Sequence, residues 1–359
     1  MTDSPKSSRA LYADNEGNFV VQEFPLPEPR DDELLIQVLY SGVNPSDFKT
    51  LKFFNCRNRV LGNEFCGKVL DSPALERLPF WPGDIVAGYV DGDKNRPLRY
   101  GTHQEYISVP PAWVYKIPYI LPPPNAATLT IVTQTANDAL FNRFGLPTPY
   151  EVTGPTEGTL VVWGAATSVG MAAVQLARAS RVSVIIATAS PKRHDFLKTL
   201  GATHCFDYSD EHVGDKIKAV IDRAGGGPIW GFDAVGSVDS PDSQTLLLRS
   251  LPQREKVRLV TVLLMGHDGF EPCVGARHLE ICFDLPGGGQ IAIHPNLEEA
   301  NGMRKALDWV VIHYGRGFQE TPVRVFRGSA KDALKEVEKV ETPGMFGKLA
   351  LELPWAATE

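Results

Sequence analysis

Cysteine is scarce in this sequence, and no two cysteines form a close pair. The five thiols are widely spaced, without a C-x-x-C motif, at Cys56, Cys66, Cys205, Cys273 and Cys282. An odd number of isolated cysteines argues against a disulfide framework and against a zinc knuckle. We therefore expect reduced thiols, most of which serve as small core residues.

Long apolar runs and an excess of positive charge are also missing. No stretch approaches the roughly 18 consecutive apolar residues of a membrane span, and the polar N-terminus lacks the apolar core of a secretory signal. The net charge of −7 is spread along the chain. These features predict a cytoplasmic protein that has neither a nucleic acid nor a membrane as a partner.

Two families of catalytic motif are absent. The eight histidines have no H-E-x-x-H or comparable spacing, so we interpret each as structural or surface-exposed and predict no bound metal. The sequence also lacks the G-x-S-x-G elbow, which weakens a hydrolase interpretation.

What is present divides into two patterns. With 359 residues, the chain is long enough for two domains. As far as about residue 124 it reads as short strands separated by turns. After a helix predicted at 126–144, strands alternate with helices, and the strands are predicted at 159–163, 182–187, 204–206, 230–234, 257–263 and 290–293. Such alternation predicts a doubly wound parallel sheet of six strands.

The first of these βα units carries the sequence GAATSVG at 164–170. A glycine turn between a strand and a helix leaves backbone N–H groups that can hold a pyrophosphate. The motif departs from G-x-G-x-x-G because Ala166 stands at the second glycine position, and an ordinary βα turn is the alternative.

The segment after the second strand predicts the cofactor. In a site for NAD, a carboxylate about 20 residues beyond the glycines binds the ribose, whereas here the sequence reads Ser190, Pro191, Lys192 and Arg193. A hydroxyl and two cations suit the 2′-phosphate of NADPH. The alternative is a solvated first helical turn, although the helix dipole disfavours cations there. Tyr208 is a further candidate to contact the adenosine end, with a plain surface tyrosine as the alternative.

Seven stretches together resemble the medium-chain dehydrogenase/reductase superfamily over nearly the whole chain. They are SGVNPSDFK (41–49), VLGNEFCGKV (60–69), WPGDIVAG (81–88), GTHQEYISVPP (101–111), AATLTIVTQTANDALF (126–141), VVWGAATSVGMAAVQLA (161–177) and FGKLAL (346–351). More narrowly, the segments 44–49, 187–193 and 205–208 resemble fungal trans-acting enoyl reductases of the lovastatin type.

The resemblance implies a GroES-like β-rich domain and a Rossmann-type domain. We expect the first part of the GroES-like domain at 1–125, the Rossmann domain at 126–299 and a return to the GroES-like domain at 300–359. The zinc enzymes of the superfamily have a cysteine in the first motif and Gly-His-Glu in the second. Here the first motif contains Asn44 instead and the second reads Gly62-Asn63-Glu64, so the resemblance implies zinc-free reductase chemistry.

The resemblance also implies site residues. Lys49 is the catalytic candidate that would polarise a carbonyl or supply a proton, with a surface lysine as the alternative. The implied cofactor-binding residues are Asn44, Pro45, Ser46, Asp47, Ala166, Thr167, Ser168, Val169, Ser190, Pro191, Lys192, Arg193, Tyr208, Leu263, Leu264, Lys348 and Leu349. The implied substrate-binding residues are Val132, Thr133, Gln134, Thr135, Ala136, Asn137, Asp138 and Ala139.

The function implied by the resemblance is hydride transfer from NADPH to the β-carbon of an α,β-unsaturated polyketide thioester in fungal secondary metabolism. The expected partner is a polyketide synthase carrier protein or its pantetheine-bound polyketide, and the protein itself is expected to be a monomer. Two alternatives remain open at this point. One is a stand-alone quinone or 2-alkenal reductase, and the other is a non-catalytic NADPH-binding protein.

Overall fold

The computed structural model describes residues 7–90, 92–253, 256–285, 287–319, 321–341 and 345–356. The strands, in chain order, are β1 Ser7–Ala13, β2 Phe19–Pro25, β3 Leu34–Val43, β4 Arg59–Val60, β5 Glu64–Val69, β6 Ile85–Tyr89, β7 Tyr106–Val109, β8 Val114–Lys116, β9 Thr156–Trp163, β10 Val182–Thr188, β11 His204–Phe206, β12 Ile229–Asp233, β13 Val257–Thr261, β14 Phe270–Pro272, β15 Ile281–Asp284, β16 Gln290–Ile293, β17 Val323–Phe326 and β18 Lys348–Glu352.

The helices, in the same order, are α1 Pro45–Phe54, α2 Pro123–Asn137, α3 Ser168–Ala179, α4 His194–Leu200, α5 Val213–Arg223, α6 Ser243–Arg249, α7 Leu297–Ile312 and α8 Ala330–Glu338. A π-helix, Asp138–Arg143, follows α2 directly. Within the described ranges, none of the helices has both the length and the apolar character that crossing a membrane requires.

Packing divides the chain into two compact units. Unit 1 contains residues 1–131, 279–295 and 322–359, and unit 2 contains 132–278 and 296–321. These bounds differ from the predicted ones, because the boundary falls inside α2 and because α7, which we predicted in the returning domain, belongs to unit 2. The amphipathic pattern of α7 indicates a buried face but does not indicate which domain covers it.

Unit 1 is built on a seven-stranded sheet. Its order is β17-β18-β3-β5-β6-β8, with β7 also paired to β3. The chain returns to this unit at its end, because β18 pairs antiparallel with β3 over residues 349–352. Smaller sheets, β2-β1-β4 and β15-β16, complete the unit. The core includes Phe65, Ile107 and Trp113 together with Leu349 and Leu351 from the returning strand.

Unit 2 contains the predicted parallel sheet, in the order β11-β10-β9-β12-β13-β14. The chain runs outward from β9 to β11 and then outward on the other side from β12 to β14, so the order reverses between β9 and β12. Ligands of doubly wound sheets bind at the carboxyl ends of the strands at such a reversal. The last six residues of β9 are all buried, as expected for a central strand covered on both faces.

One predicted strand of this sheet was wrong. The sixth strand of unit 2 is Phe270–Pro272, which pairs parallel with β13. The predicted sixth strand, Gln290–Ile293, instead pairs antiparallel with β15 in unit 1. Its alternating pattern correctly indicates a strand, but alternation carries no information about the strand with which it pairs.

Candidate functional site

The glycine turn of unit 2 is tightly packed. A Cβ atom on Gly164, whose φ is 79°, would lie 2.1 Å from Cγ2 of Val235. A Cβ atom on Gly170 would lie 2.5 Å from the carbonyl oxygen of Gly164, so α3 approaches the turn closely. Thr167 is the N-cap of α3, since its Oγ1 accepts from Gly170 N at 3.0 Å and donates to Ala234 O at 3.0 Å. At positions 164 and 170, only glycine fits without a shift of the neighbouring atoms.

The same turn is tied to the neighbouring strand β10. Gly164 N donates to Thr188 Oγ1 and Ala165 N donates to Thr188 O, both at 2.9 Å. The predicted pyrophosphate residues of the turn, Ala166, Thr167, Ser168 and Val169, remain half-buried and not fully covered. The first turn of a helix leaves backbone N–H groups without intrahelical partners. This cradle therefore fits a pyrophosphate group.

The predicted 2′-phosphate residues lie just beyond β10. Pro191, Lys192 and Arg193 form a 3₁₀ turn, and Ser190 Oγ lies 3.4 Å from the hydroxyl of Tyr208, which is 50% exposed. The nearby acids have other partners. Asp195 pairs with Lys198 at 3.2 Å, and Asp207 accepts hydrogen bonds from the backbone and hydroxyl of Ser209. The cofactor contacts predicted for Ser190, Pro191, Lys192, Arg193 and Tyr208 remain predictions.

Asp233, at the end of β12, was missed by the sequence analysis. It is fully buried, and its Oδ1 accepts from Val235 N at 3.1 Å and from Gly236 N at 3.2 Å. Its Oδ2 accepts from Thr261 Oγ1 at 2.8 Å. The same threonine oxygen, Oγ1, in turn accepts from Leu263 N at 3.2 Å. One carboxylate thus fixes the loops after β12 and β13, the second of which carries the predicted Leu263 and Leu264. An aspartate at a strand end with a glycine three positions later, Gly236, was the available signal.

All eight predicted substrate residues, 132–139, are buried in unit 2. Asn137 Nδ2 donates to Gln134 Oε1 at 2.8 Å and to Met303 O at 3.3 Å, so both amide hydrogens are used within the unit. The roles predicted for Val132, Thr133, Gln134, Thr135, Ala136, Asn137 and Ala139 remain predictions.

Both carboxylate oxygens of Asp138 accept hydrogen bonds from neighbouring residues of unit 2. Its Oδ1 accepts from Arg277 Nε at 3.0 Å and Asn142 Nδ2 at 2.8 Å. Its Oδ2 accepts from Arg277 Nη2 at 2.7 Å and Val274 N at 2.9 Å. A carboxylate has about four acceptor positions, and these contacts use all of them. These contacts anchor the π-helix, and the substrate-binding role predicted for Asp138 remains a prediction.

In unit 1, a buried polar cluster surrounds the start of α1. Asp47 Oδ2 accepts from Asn44 N at 2.8 Å, and Oδ1 accepts from Gly62 N at 3.2 Å and Asn63 Nδ2 at 2.9 Å. His103 Nε2 lies 3.3 Å from Oδ2. Burial raises the pKa of Asp47, but His103 and the hydrogen bonds outweigh burial and leave that pKa below its usual value. The carboxylate therefore holds two backbone segments together.

Lys348 joins the cluster from β18. Its Nζ donates to Asn44 Oδ1 at 2.7 Å, Glu64 Oε1 at 2.9 Å and Val43 O at 2.9 Å, and its side chain is 5% exposed. We predicted that Lys348 and Leu349 contact the cofactor. In the structure the lysine ammonium is occupied within unit 1, and the Leu349 side chain packs in the core. No local pattern indicates this pairing, because the partners are about three hundred positions away along the chain.

Glu64 completes this part of the cluster. Its Oε1 also accepts from Asn44 Nδ2 at 2.8 Å, and its Oε2 accepts from Ile131 N at 2.9 Å. No group of three or more His, Cys, Asp or Glu side chains suited to holding a metal ion occurs in the part of the chain that the structure describes. The buried carboxylate is instead balanced by the lysine ammonium.

Ser46 and Lys49 are more accessible than the rest of this cluster. Both are half-buried, while Pro45 is exposed. Ser46 Oγ accepts from Asn63 Nδ2 at 3.2 Å, which leaves the hydroxyl hydrogen available as a donor. The role predicted for Lys49 and the cofactor contacts predicted for residues 44–47 remain predictions.

Comparison with known proteins agrees with both parts of the chain. Residues 30–119 match the alcohol dehydrogenase GroES-like domain, and residues 168–267 match the zinc-binding dehydrogenase family. A trans-enoyl reductase of Alternaria alternata is 30% identical over 267 residues, which cover 71% of this chain and 77% of the relative. A zinc-type alcohol dehydrogenase-like protein of Schizosaccharomyces pombe is 32% identical over 271 residues, or 71% of this chain and 72% of the relative.

Solved structures agree on the fold. An alcohol dehydrogenase superfamily protein from Novosphingobium aromaticivorans superposes with a TM-score of 0.73 at 20% identity, covering 97% of this chain and 100% of that one. The CurK enoyl reductase gives a TM-score of 0.68 at 19% identity, covering 97% and 99%. At identities near 20%, similarity to solved structures establishes the fold alone. Membership of the family is shown by the relatives of similar sequence. The chain belongs to the medium-chain dehydrogenase/reductase superfamily and is an oxidoreductase that uses a nicotinamide cofactor.

Proposed function

We propose that this protein is an NADPH-dependent enoyl reductase that acts in trans on an α,β-unsaturated polyketide thioester carried by a polyketide synthase. The observation that carries the substrate assignment is the similarity to a protein named trans-enoyl reductase along 71% of the chain. Shorter matches to trans-enoyl reductases of Aspergillus japonicus and Pyricularia oryzae, at 34% identity, support the same assignment. The synthase partner and a monomeric state are parts of this proposal.

The preference for NADPH is supported by the edge of β10. Ser190, Lys192 and Arg193 offer a hydroxyl and two cations, and Asp195 and Asp207 have other partners. A free carboxylate at this position would instead repel a 2′-phosphate. The glycine turn, capped by Thr167, would hold the pyrophosphate on backbone N–H groups.

Bound NADPH would supply a hydride to the β-carbon of the substrate. The electron pair of the carbon–carbon double bond then moves toward the thioester, so negative charge develops on the carbonyl oxygen until a proton reaches the α-carbon. Residues that donate hydrogen bonds to that oxygen lower the barrier. We propose Lys49 as the group that supplies the proton, since its ammonium has no hydrogen bond or ion pair to another described residue.

The cofactor assignment is tested with the double variant Lys192→Ala/Arg193→Ala. Losing two charge-assisted contacts should raise the dissociation constant for NADPH by about one to two powers of ten and leave that for NADH nearly unchanged. Fluorescence titration of the reduced nicotinamide measures both constants. The matched control is Lys218→Ala/Arg223→Ala on α5, which removes the same charges away from β10. Equal NADPH affinity in both double variants would refute the phosphate assignment.

The substrate assignment is tested by following NADPH oxidation with crotonyl-pantetheine, the same acyl group on a carrier protein, and a free quinone. We expect turnover of the thioesters and little turnover of the quinone. Brisk quinone reduction with no change in either thioester would replace this proposal with a quinone reductase. NADPH binding without turnover of any of the three would indicate a non-catalytic protein.

A further inference from the structure

The side-chain amide of Asn44 is held from both sides in one orientation. Its Oδ1 accepts from the Lys348 ammonium at 2.7 Å, and its Nδ2 donates to Glu64 Oε1 at 2.8 Å. An ammonium group offers only donors and an ionised carboxylate offers only acceptors. A flip of the amide would set donor against donor and acceptor against acceptor, so the amide is locked.

The ammonium of Lys348 and the amide nitrogen of Asn44 differ in how many of their hydrogens are bonded. An ammonium has three N–H groups, and Lys348 directs one to each of Val43 O, Asn44 Oδ1 and Glu64 Oε1. An amide nitrogen has two hydrogens, and only one hydrogen bond from Asn44 Nδ2 is made to the part of the chain described here. Asn44 is only 4% exposed. A buried donor with a spare hydrogen is costly unless a ligand receives it.

We propose that the second N–H of Asn44 binds the carbonyl oxygen of the enoyl thioester, and that Lys348 is the positioning residue that polarises the amide. This inference rests on the proposed function. A cation on Oδ1 draws electron density away from the amide nitrogen and makes the remaining N–H a stronger donor, because hydrogen bonds in a chain polarise one another. The bond strengthens as negative charge develops on the carbonyl oxygen, which favours the transition state over the bound substrate.

The carboxylate of Glu64 has a defined part in this arrangement. It neutralises the buried ammonium and fixes the other amide hydrogen, and its second oxygen is anchored by Ile131 N. A charged lysine without such a partner would be expensive to bury. Because all three lysine donors are taken, Lys348 acts through Asn44 and does not itself contact the substrate.

The test compares two pantetheine ligands that differ at one carbon atom: the crotonyl thioester has a carbonyl group there, and the crotyl thioether has a CH₂ group. Binding is measured by calorimetry with NADP⁺ present, so that no reduction occurs. For the unaltered protein we expect about tenfold tighter binding of the thioester, which corresponds to about 1.4 kcal/mol. The variants Asn44→Ala and Lys348→Met should reduce this ratio to about twofold or less, without changing affinity for the thioether.

Control variants separate this role from a structural one. Lys52→Ala, on the exposed face of α1, should retain the full thioester preference. In Asn44→Ala, kcat for the thioester should fall while the affinity for the thioether stays unchanged, a division that general unfolding would not produce. If Lys348→Met does not fold, Asn44→Ala carries the test and Lys348→Arg, which keeps the cation, should preserve part of the ratio.

The outcomes are distinct for the inference and for the proposed function. A thioester preference that survives in Asn44→Ala would overturn the inference and leave the enoyl reductase proposal standing. If the unaltered protein reduces the thioester yet binds the thioester and the thioether equally, the inference is likewise overturned and the enoyl reductase proposal stands. Failure of the unaltered protein to bind or reduce any enoyl thioester would overturn both.

Discussion

Glu33 should make the stability of unit 1 depend steeply on acid pH. It lies just before β3 and is 2% exposed, and its carboxylate accepts from Arg99 Nη2 at 2.9 Å, Tyr100 OH at 2.5 Å and Ser108 Oγ at 2.7 Å. Burial raises the pKa of Glu33, but these donors outweigh burial and lower it from 4.5 to about 2. The difference between the folded and unfolded values corresponds to about 3 kcal/mol of folding free energy at neutral pH.

The direction follows from which state binds the proton more readily. Because the folded pKa is the lower one, the stabilisation is complete above the unfolded value of 4.5 and is lost as pH falls toward 2. At about pH 3 the loss should reach about 2 kcal/mol. The variant Glu33→Gln cannot titrate, so its free energy of unfolding should lack this part of the pH dependence.

Urea unfolding at a series of pH values measures the pH dependence of the free energy of unfolding. Hydrogen exchange of the β7 amides reports the stability of unit 1 separately. The free-energy difference between the unaltered protein and Glu33→Gln should shrink steadily between about pH 5 and pH 2. The control is Glu28→Gln, because Glu28 is exposed and lies in the same unit, where its removal should change stability little. A difference that stays constant over this range would refute the role assigned to the Glu33 contacts.

Three further predictions concern the sites. Gly170→Ala would place a Cβ atom 2.5 Å from Gly164 O and should lower both the melting temperature and NADPH affinity, as measured by calorimetry and titration; unchanged NADPH affinity would contradict the cradle. Lys49→Met should lower kcat in steady-state kinetics without weakening NADPH binding, and an unaltered kcat would remove Lys49 from catalysis. Asp138→Asn removes the nearer of two carboxylates from the buried Arg277, while Glu299 stays 3.5 Å from its Nε, and should destabilise unit 2 by about 2 kcal/mol in urea unfolding; a loss of activity at unaltered stability would favour a role of Asp138 in substrate binding.

The local features of the fold were predictable because their causes lie within a few residues. The glycine turn is one such case, since a strand, a small-residue turn and an amphipathic helix follow one another without interruption. Ser329 is another: a serine followed by an acidic residue three positions later is a local signal for a helix start, and Ser329 Oγ accepts from Asp332 N at 3.2 Å. Both depend on backbone groups that neighbouring residues satisfy.

The pairing of distant segments was not predictable in the same way. The sixth strand of unit 2, Phe270–Pro272, has three residues and ends in proline, so it has almost no strand pattern of its own. Gln290–Ile293 has the stronger alternation and pairs in unit 1. Strand propensity reports how well side chains fit a pleated surface and does not specify which sheet contains them.

The same limitation explains why only part of the candidate site could be predicted. The resemblance to the superfamily indicated that Asn44 belongs to a site, whereas no site role was predicted for Glu64. The resemblance could not indicate that the ammonium of Lys348 lies between them, because a lysine on a strand has no local feature that identifies its partner.

The balance of charge in this cluster has a chemical consequence. A metal ion can polarise a carbonyl oxygen by direct contact, as a Lewis acid does. Here the buried cation is an ammonium whose three hydrogens are all taken, so its charge can reach a ligand only through a group to which it donates. Val43 O and the Glu64 carboxylate are acceptors only and cannot donate a hydrogen bond to a ligand, whereas the Asn44 amide can. If the amide is the polarising group, replacing Lys348 by an uncharged residue should lower kcat by a larger factor than it weakens thioester binding. The reason is that the polarised N–H stabilises the carbonyl oxygen most when that oxygen carries negative charge.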